Sequence, residues 1–190
     1  MRLLGNRMLV RRVEHEKENK SGIIIPDSVQ NTTFIGEVVK VGPGIMTDSG
    51  ALIHPLISKG DHIIYASTVG FHVTVDENEF TILNEIDVIA IIQDDKIQSL
   101  IRNRILIEKD AVEEMSGGII LTKAQDSEIS YGKVINVGIG MVTAKGEILP
   151  MPVKAGDAIM YLSARGFEFK LGSNSFFVLD ARDVVALVED

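Results

Sequence analysis

The chain has 190 residues, 45% hydrophobic and 24% charged, a balance that supports a packed core and argues against global disorder. Its net charge is −8, spread as −5 over residues 1–94 and −3 over 95–190, so neither half offers the basic footprint that nucleic-acid backbones require. Cysteine is absent, which excludes thiol catalysis, disulfides and cysteine-based zinc sites.

Aromatic residues make up only 5% and Trp is missing, so the core must rest on Ile, Val and Leu, a diet that favours strands. In chain order, a first strand is expected at Met8–Val10. Residues 14–33 follow as a polar, turn-rich stretch with Ser21-Gly22-Ile23-Ile24-Ile25-Pro26 at its centre. Gly36–Gly42 is strand-length and bounded by glycines. Ile45–Thr47 and Ala51–Ile53 flank Asp48-Ser49-Gly50, a hairpin signal. The turn Lys59-Gly60-Asp61 leads into His62–Tyr65, and Phe80–Leu83 and Val88–Ile92 complete the series.

After the short polar link Gln93-Asp94-Asp95-Lys96 the same order returns. A strand at Ile105–Ile107 precedes a second polar stretch, 110–130, containing Gly117-Gly118-Ile119-Ile120-Leu121-Thr122. Gly132–Gly138, a hairpin around Ala144-Lys145-Gly146, the turn Ala155-Gly156-Asp157, and strands at Ala158–Tyr161, Phe176–Leu179 and Val184–Val188 follow. Shifted by 96 positions, Gly22–Ile92 aligns with Gly118–Val188 without a gap, with 23 identities in 71 pairs. Gly36, Gly42, Gly44, Gly50, Gly60 and Gly70 all find glycine partners. The starts match with one residue of slip, Asn6–Val10 against Asn103–Ile107. Shared glycines imply shared backbone angles. The chain is therefore expected to be all-β, with two tandem small barrels spanning 1–94 and 95–190, because short strands at short spacing carry no 3.6-residue period.

Two polar stretches of this length are unusual in compact domains, where such loops are often functional. With few apolar residues to hold them, they are expected to be mobile in isolation. No segment reaches the ~20 apolar residues of a membrane helix. His15, His54, His62 and His72 lack metal-ligand spacing, and no nucleophile elbow or P-loop is present. Tyr65, Tyr161, Phe71, Phe80, Phe167 and Phe176 read most simply as core, and Arg11-Arg12 as part of a loop stem.

Taken together, Asn6–Val10, Ser21–Pro26, Gly36–Gly44, Lys59–Asp61 and Asp87–Ile92, and their counterparts through Asp183–Val188, resemble the GroES family of co-chaperonins. The tandem layout resembles the family's double-domain plastid form. The resemblance implies an irregular β-barrel per unit and a ring that caps a heptameric GroEL-type chaperonin, enclosing unfolded substrate proteins indirectly. It implies no catalysis by this chain, no cofactor of its own, and ATP bound and hydrolysed by the partner. Carried over, the chaperonin-binding tripeptides are Ile23-Ile24-Ile25 and Ile119-Ile120-Leu121, with Gly22, Gly117 and Gly118 as hinges. The hairpins at 45–53 and 141–149 correspond to the family's roof.

There are departures. The family's Asp before the opening Arg is Asn6 and Asn103 here, and the roof tips carry Asp48 in one unit but Lys145 and Glu147 in the other. Two units per chain do not divide seven sites: four chains present eight units, while mixed rings with single-domain subunits reach seven. Neither a membrane nor a nucleic acid is an expected partner. A cytoplasmic setting, bacterial or phage-infected, follows if Met1 is the native start, and a plastid stroma if a leader has been removed. The alternative reading is a ring protein that keeps the fold, has lost chaperonin binding and serves a structural role.

Overall fold

The computed structural model describes residues 1–13, 33–94, 96–109, 129–143, 145–171 and 174–188. The first copy builds one antiparallel sheet. Its strands are β1 (Arg7–Arg12), β2 (Thr33–Val41), β5 (His62–Ala66), β6 (Phe71–Val75), β7 (Asn78–Asn84), β8 (Val88–Gln93) and β9 (Lys96–Leu100). They lie in the order β6-β7-β1-β2-β5-β8-β9. A separate two-stranded hairpin pairs β3 (Ile45–Met46) with β4 (Leu52–Ile53).

The second copy repeats this plan with β10 (Arg104–Lys109), β11 (Ile129–Val137), β14 (Ala158–Leu162), β15 (Phe167–Leu171), β16 (Asn174–Asp180) and β17 (Val184–Leu187). Their order is β15-β16-β10-β11-β14-β17, and β12 (Met141–Val142) pairs with β13 (Ile148–Leu149). Among the described residues there is no α-helix, only 3-10 turns at Glu85–Asp87, Ser163–Arg165 and Ala181–Asp183. The fold is all-β and its strand plan is repeated in tandem, as expected.

The duplication extends to irregularities. The β1–β2 register slips between Leu9 and Val10, and the β10–β11 register slips between Leu106 and Ile107. A second slip recurs at Ile64/Tyr65 and at Met160/Tyr161. Such bulges bend a strand and deepen its twist, so the sequence repeat carries the curvature of the sheet as well as its strands. The one-residue offset at the start is also structural. Gly44 donates its N–H to the Gly5 carbonyl, and Gly140 donates to the Arg102 carbonyl, both at 3.0 Å. Gly5 and Arg102 hold the same left-handed backbone, φ 65° and 57°.

Each copy has its own core. Met8, Val10, Val38, Ile63, Tyr65, Leu83 and Ile101 pack together in the first, and Ile105, Ile107, Val134, Ile159, Tyr161 and Leu179 in the second. These are inward positions of alternating strands, the expected source of stability in a sheet with one covered face.

Three strands were not expected: β6, β15 and β9. The last changes the organisation. Residues 95–100 fall in the second copy by sequence, yet β9 pairs with β8 through Ala90↔Leu100 and Ile91↔Ser99; one compact unit comprises Met1–Ile101 with Val142–Ile148, the other Arg102–Met141 with Leu149–Asp190. Gln93 pairs with Lys96 at the end of this hairpin, and Asp94 has φ 50°. Phe71, expected in the core, is instead exposed at the start of the edge strand β6.

Candidate functional site: the loop roots and the hairpins

The tripeptides Ile23-Ile24-Ile25 and Ile119-Ile120-Leu121, and the hinge positions Gly22, Gly117 and Gly118, lie outside the described residues. The structure fixes where their loops begin and end. The first loop joins β1 to β2, two neighbouring antiparallel strands paired as Arg11↔Glu37 and Arg12↔Gly36. Val13 N–H extends this ladder to the Ile35 carbonyl at 2.9 Å. The second loop joins β10 to β11, paired as Glu108↔Lys133 and Lys109↔Gly132. The strands absorb the edges of both expected loops, since Thr33, Ile129 and Ser130 already belong to β2 or β11.

Each root is clamped by a cation on an aromatic ring, but with different residues. In the first copy the Arg12 guanidinium carbon lies 3.8 Å from the centre of the Phe34 ring. Phe34 meets Tyr65 edge-on, with ring centres 5.9 Å apart. Beside it, Arg11 donates to Glu37 at 2.7 Å, and that hydrogen bond holds the Glu37 carboxyl below its usual range. In the second copy Lys109 Nζ lies 4.1 Å from the Phe177 ring centre and 3.0 Å from Glu168 Oε2. Phe177 in turn packs on Tyr161, ring centres 5.6 Å apart. Tyr65 and Tyr161 are buried as expected, and burial pushes the Tyr65 hydroxyl up. The aromatic–cation pairs escaped the sequence reading. The sequence marks Arg12 as part of a loop stem, but its partner depends on cross-strand register, which no local signal supplies.

The two hairpins use one turn chemistry. Thr47 N–H donates to Ala51 O at 2.8 Å and Gly50 N–H to Thr47 O at 2.9 Å. Thr143 N–H donates to Glu147 O and Gly146 N–H to Thr143 O at the same two distances. Each threonine hydroxyl also accepts from the backbone N–H four residues on, Ala51 at 3.0 Å and Glu147 at 3.1 Å. At the hairpin bases Gly44 and Gly140 adopt φ 110° and 102°, and a Cβ there would strike the carbonyl oxygens of Ile53 and Leu149. The hairpins show apolar side chains outward, including Ile45, Met46, Leu52, Met141, Ile148 and Leu149.

The position where the family carries Asp has a structural answer in the second copy. The Asn103 side-chain amide donates to Asp180 at 2.5 Å. Asp180 also accepts from Arg182 N, Nε and Nη2, each at 2.9 Å. Burial pushes this carboxyl up, but the Arg182 hydrogen bonds and charge outweigh it and hold Asp180 below the ordinary carboxylate value. Asn84 stands in its place in the first copy. There Glu85, buried, accepts a short hydrogen bond from Leu56 N–H, and its own N–H donates to the Asn6 carbonyl at 3.2 Å.

Among the described residues no group of three or more His, Asp or Glu side chains is arranged to hold a metal ion, and no helix is long and apolar enough to cross a membrane. His72 Nδ1 pairs with Thr81 Oγ1 at 3.3 Å. What the described surface offers chemically is two loop roots on rigid sheets and two apolar hairpins.

Residues 1–92 and 96–188 each match the family model described as chaperonin 10 Kd subunit. The chain is 35% identical over 190 residues to the 20 kDa chloroplastic chaperonin of Arabidopsis thaliana, covering 97% of this chain and 74% of that protein. It is 31% identical, with the same coverage, to the protein of that name from Spinacia oleracea. One copy alone is 44% identical over 92 residues to the co-chaperonin GroES of Caulobacter sp. (strain K31), covering 48% of this chain and 96% of that protein.

Proposed function

Because this chain belongs to the chaperonin 10 Kd subunit family, present twice over in tandem, we propose that it is a non-enzymatic co-chaperonin whose ring-shaped assembly closes the cavity of a GroEL-type chaperonin. The two loops dock through Ile23-Ile24-Ile25 and Ile119-Ile120-Leu121, with Gly22, Gly117 and Gly118 giving the backbone freedom to lie close to the partner. ATP is bound and hydrolysed by the chaperonin, and substrate proteins are enclosed without being bound by this chain. Chloroplast and bacterial relatives frame its setting as a plastid stroma or a bacterial cytoplasm.

The observation that supports this reading best is that both long loops spring from equivalent strand pairs, β1–β2 and β10–β11, at equivalent places in two copies of one sheet. Energetics favour the arrangement. Ordering a free segment on binding costs about 2–5 kcal/mol, while each buried aliphatic side chain contributes about 1.5–3 kcal/mol. One loop therefore binds weakly. Several loops on one rigid body gain avidity of roughly 10²–10⁴ without new contacts, which suits a lid that must also leave. The test is co-elution of the full chain with a GroEL-type chaperonin, with and without ATP. Nucleotide-dependent co-elution is expected. A chain that never co-elutes, yet assembles, is the structural ring protein of the alternative reading.

A further inference from the structure

The two loop roots hold the same parts in different places. In the first copy a ring, Phe34, stands on β2 in register with Tyr65, and Thr81 on β7 is the small buried side chain. In the second copy Ser130 takes the Phe34 position, in register with Tyr161, and Phe177 on β16 takes the Thr81 position. The cation follows the ring. β2 and β7 flank β1, as β11 and β16 flank β10. Arg12, its guanidinium carbon 3.8 Å from the Phe34 ring centre, therefore joins β1 to β2, the two stems of one loop. Lys109 reaches the other way, to Phe177 on β16 and Glu168 on β15. It joins one stem to the body of its sheet and leaves β11 out. The next pairs inward, Arg11↔Glu37 and Glu108↔Lys133, set opposite charges across the stems in both copies, so the difference lies at Arg12 and Lys109. Exposure agrees with it. Phe34 and Ile35 are half-buried, whereas Ile129 and Tyr131 at the start of β11 are 38% and 48% exposed.

We infer that Arg12 and Phe34 are positioning residues for docking, and that they make the first loop the tighter of the two on the chaperonin. A clip across both stems fixes the separation and direction of the loop's ends while the chain is still free. Part of the ordering cost then falls on folding instead of on binding. The second loop has only one stem clipped and meets that cost when it docks. A cation on a ring at an exposed site shifts a local equilibrium about two- to fivefold, and the factor multiplies over the several first-copy loops of one assembly. The inference rests on the docking reading and adds to it an order of strength between the loops. A wild-type chain that binds no chaperonin fails both, whereas binding with equal loops fails this inference alone.

Two single-loop chains read the order. Ile120→Asp leaves the first tripeptide intact, and Ile24→Asp leaves the second. In titrations of the full chain against an ATP-loaded GroEL-type chaperonin, Ile24→Asp is expected to weaken binding about fivefold more than Ile120→Asp. Adding Arg12→Ala is expected to weaken the Ile120→Asp chain about tenfold and the Ile24→Asp chain less than about twofold. Arg12→Lys, which keeps the cation, is expected to retain most of the affinity that Arg12→Ala loses. A merely structural loss would act on both chains alike. A second measurement needs no chaperonin. The Val13 N–H, bonded to the Ile35 carbonyl at 2.9 Å, is expected to exchange its hydrogen about two- to fivefold faster in Arg12→Ala and in Phe34→Leu, with no further gain in the double variant. Equal losses from Ile24→Asp and Ile120→Asp, an Arg12→Ala effect that ignores which loop remains, or a Val13 exchange rate indifferent to Arg12→Ala would each overturn the inference.

Discussion

The Arg12 guanidinium stacks over Phe34 with its carbon 3.8 Å from the ring centre, joining the last residue of β1 to the second residue of β2 at the root of the first loop. At an exposed site a pair of this kind contributes about 0.5–1 kcal/mol. Arg12→Ala is expected to lower the urea-unfolding free energy of the first copy by that amount. The loss should largely vanish in a Phe34→Leu background, where the ring is gone. An equal loss in both backgrounds would show that the ring is not Arg12's partner.

The Asp180 cluster makes the second copy acid-sensitive in a defined direction. Its folded-state value lies below the ordinary value of 3.8, so the carboxylate stabilises the fold fully above that ordinary value. The contribution is lost as pH falls through the lower folded-state value. Asp180→Asn is therefore expected to cost stability at pH 7, and the gap between wild type and variant should narrow as the pH is taken below 4. A gap that holds constant down that range would contradict the assignment. Asn84 occupies the matching position in the first copy, so Asn84→Asp offers a control without the Arg182 partner.

Gly44 and Gly140 hold the hairpins to their sheets. Each has a left-handed φ and no room for a Cβ beside the carbonyl of Ile53 or Leu149. Strain of this kind costs about 1–3 kcal/mol per site. Gly44→Ala and Gly140→Ala are each expected to destabilise by that order in chemical denaturation. Gly50→Ala has open space around it and meets only the backbone penalty, so it should be milder.

The duplication was legible because glycine records backbone conformation directly. Gly44 and Gly140, or Gly50 and Gly146, sit at left-handed angles that almost any other residue would resist. The strands of the two cores were legible from their apolar runs. The strands β6, β15 and β9 were not, because each spans only five positions at a sheet edge, too few for an alternating pattern to stand out, and Gln98-Ser99 breaks the alternation in β9. The assignment of β9 to the first sheet depends on a pairing that sequence similarity obscures, since by descent those residues begin the second copy. Phe71 looked like core because aromatics usually are, but its edge strand leaves that face uncovered. Cross-strand partners such as Lys109 and Phe177 lie far apart in sequence and only register brings them together.

The loops offer a protection test. Proteolysis of the free chain is expected to cut first within residues 14–33 and 110–130, and an ATP-bound chaperonin should slow those cuts. Equal cutting rates in both states would count against docking through these segments. Because Pro26 follows the first tripeptide and Thr122 the second, the degree of protection of the two loops is a measure of whether they engage equally.

The docking claim is tested most directly by the affinity of the full chain for an ATP-loaded GroEL-type chaperonin when both tripeptides carry a charge, as in the Ile24→Asp, Ile120→Asp double variant. A carboxylate without a partner is costly to bury in an apolar groove, and the effect multiplies across linked loops. Binding is predicted to be lost while the circular dichroism spectrum and the assembled mass match the wild type. Wild-type affinity in the double variant would contradict the account.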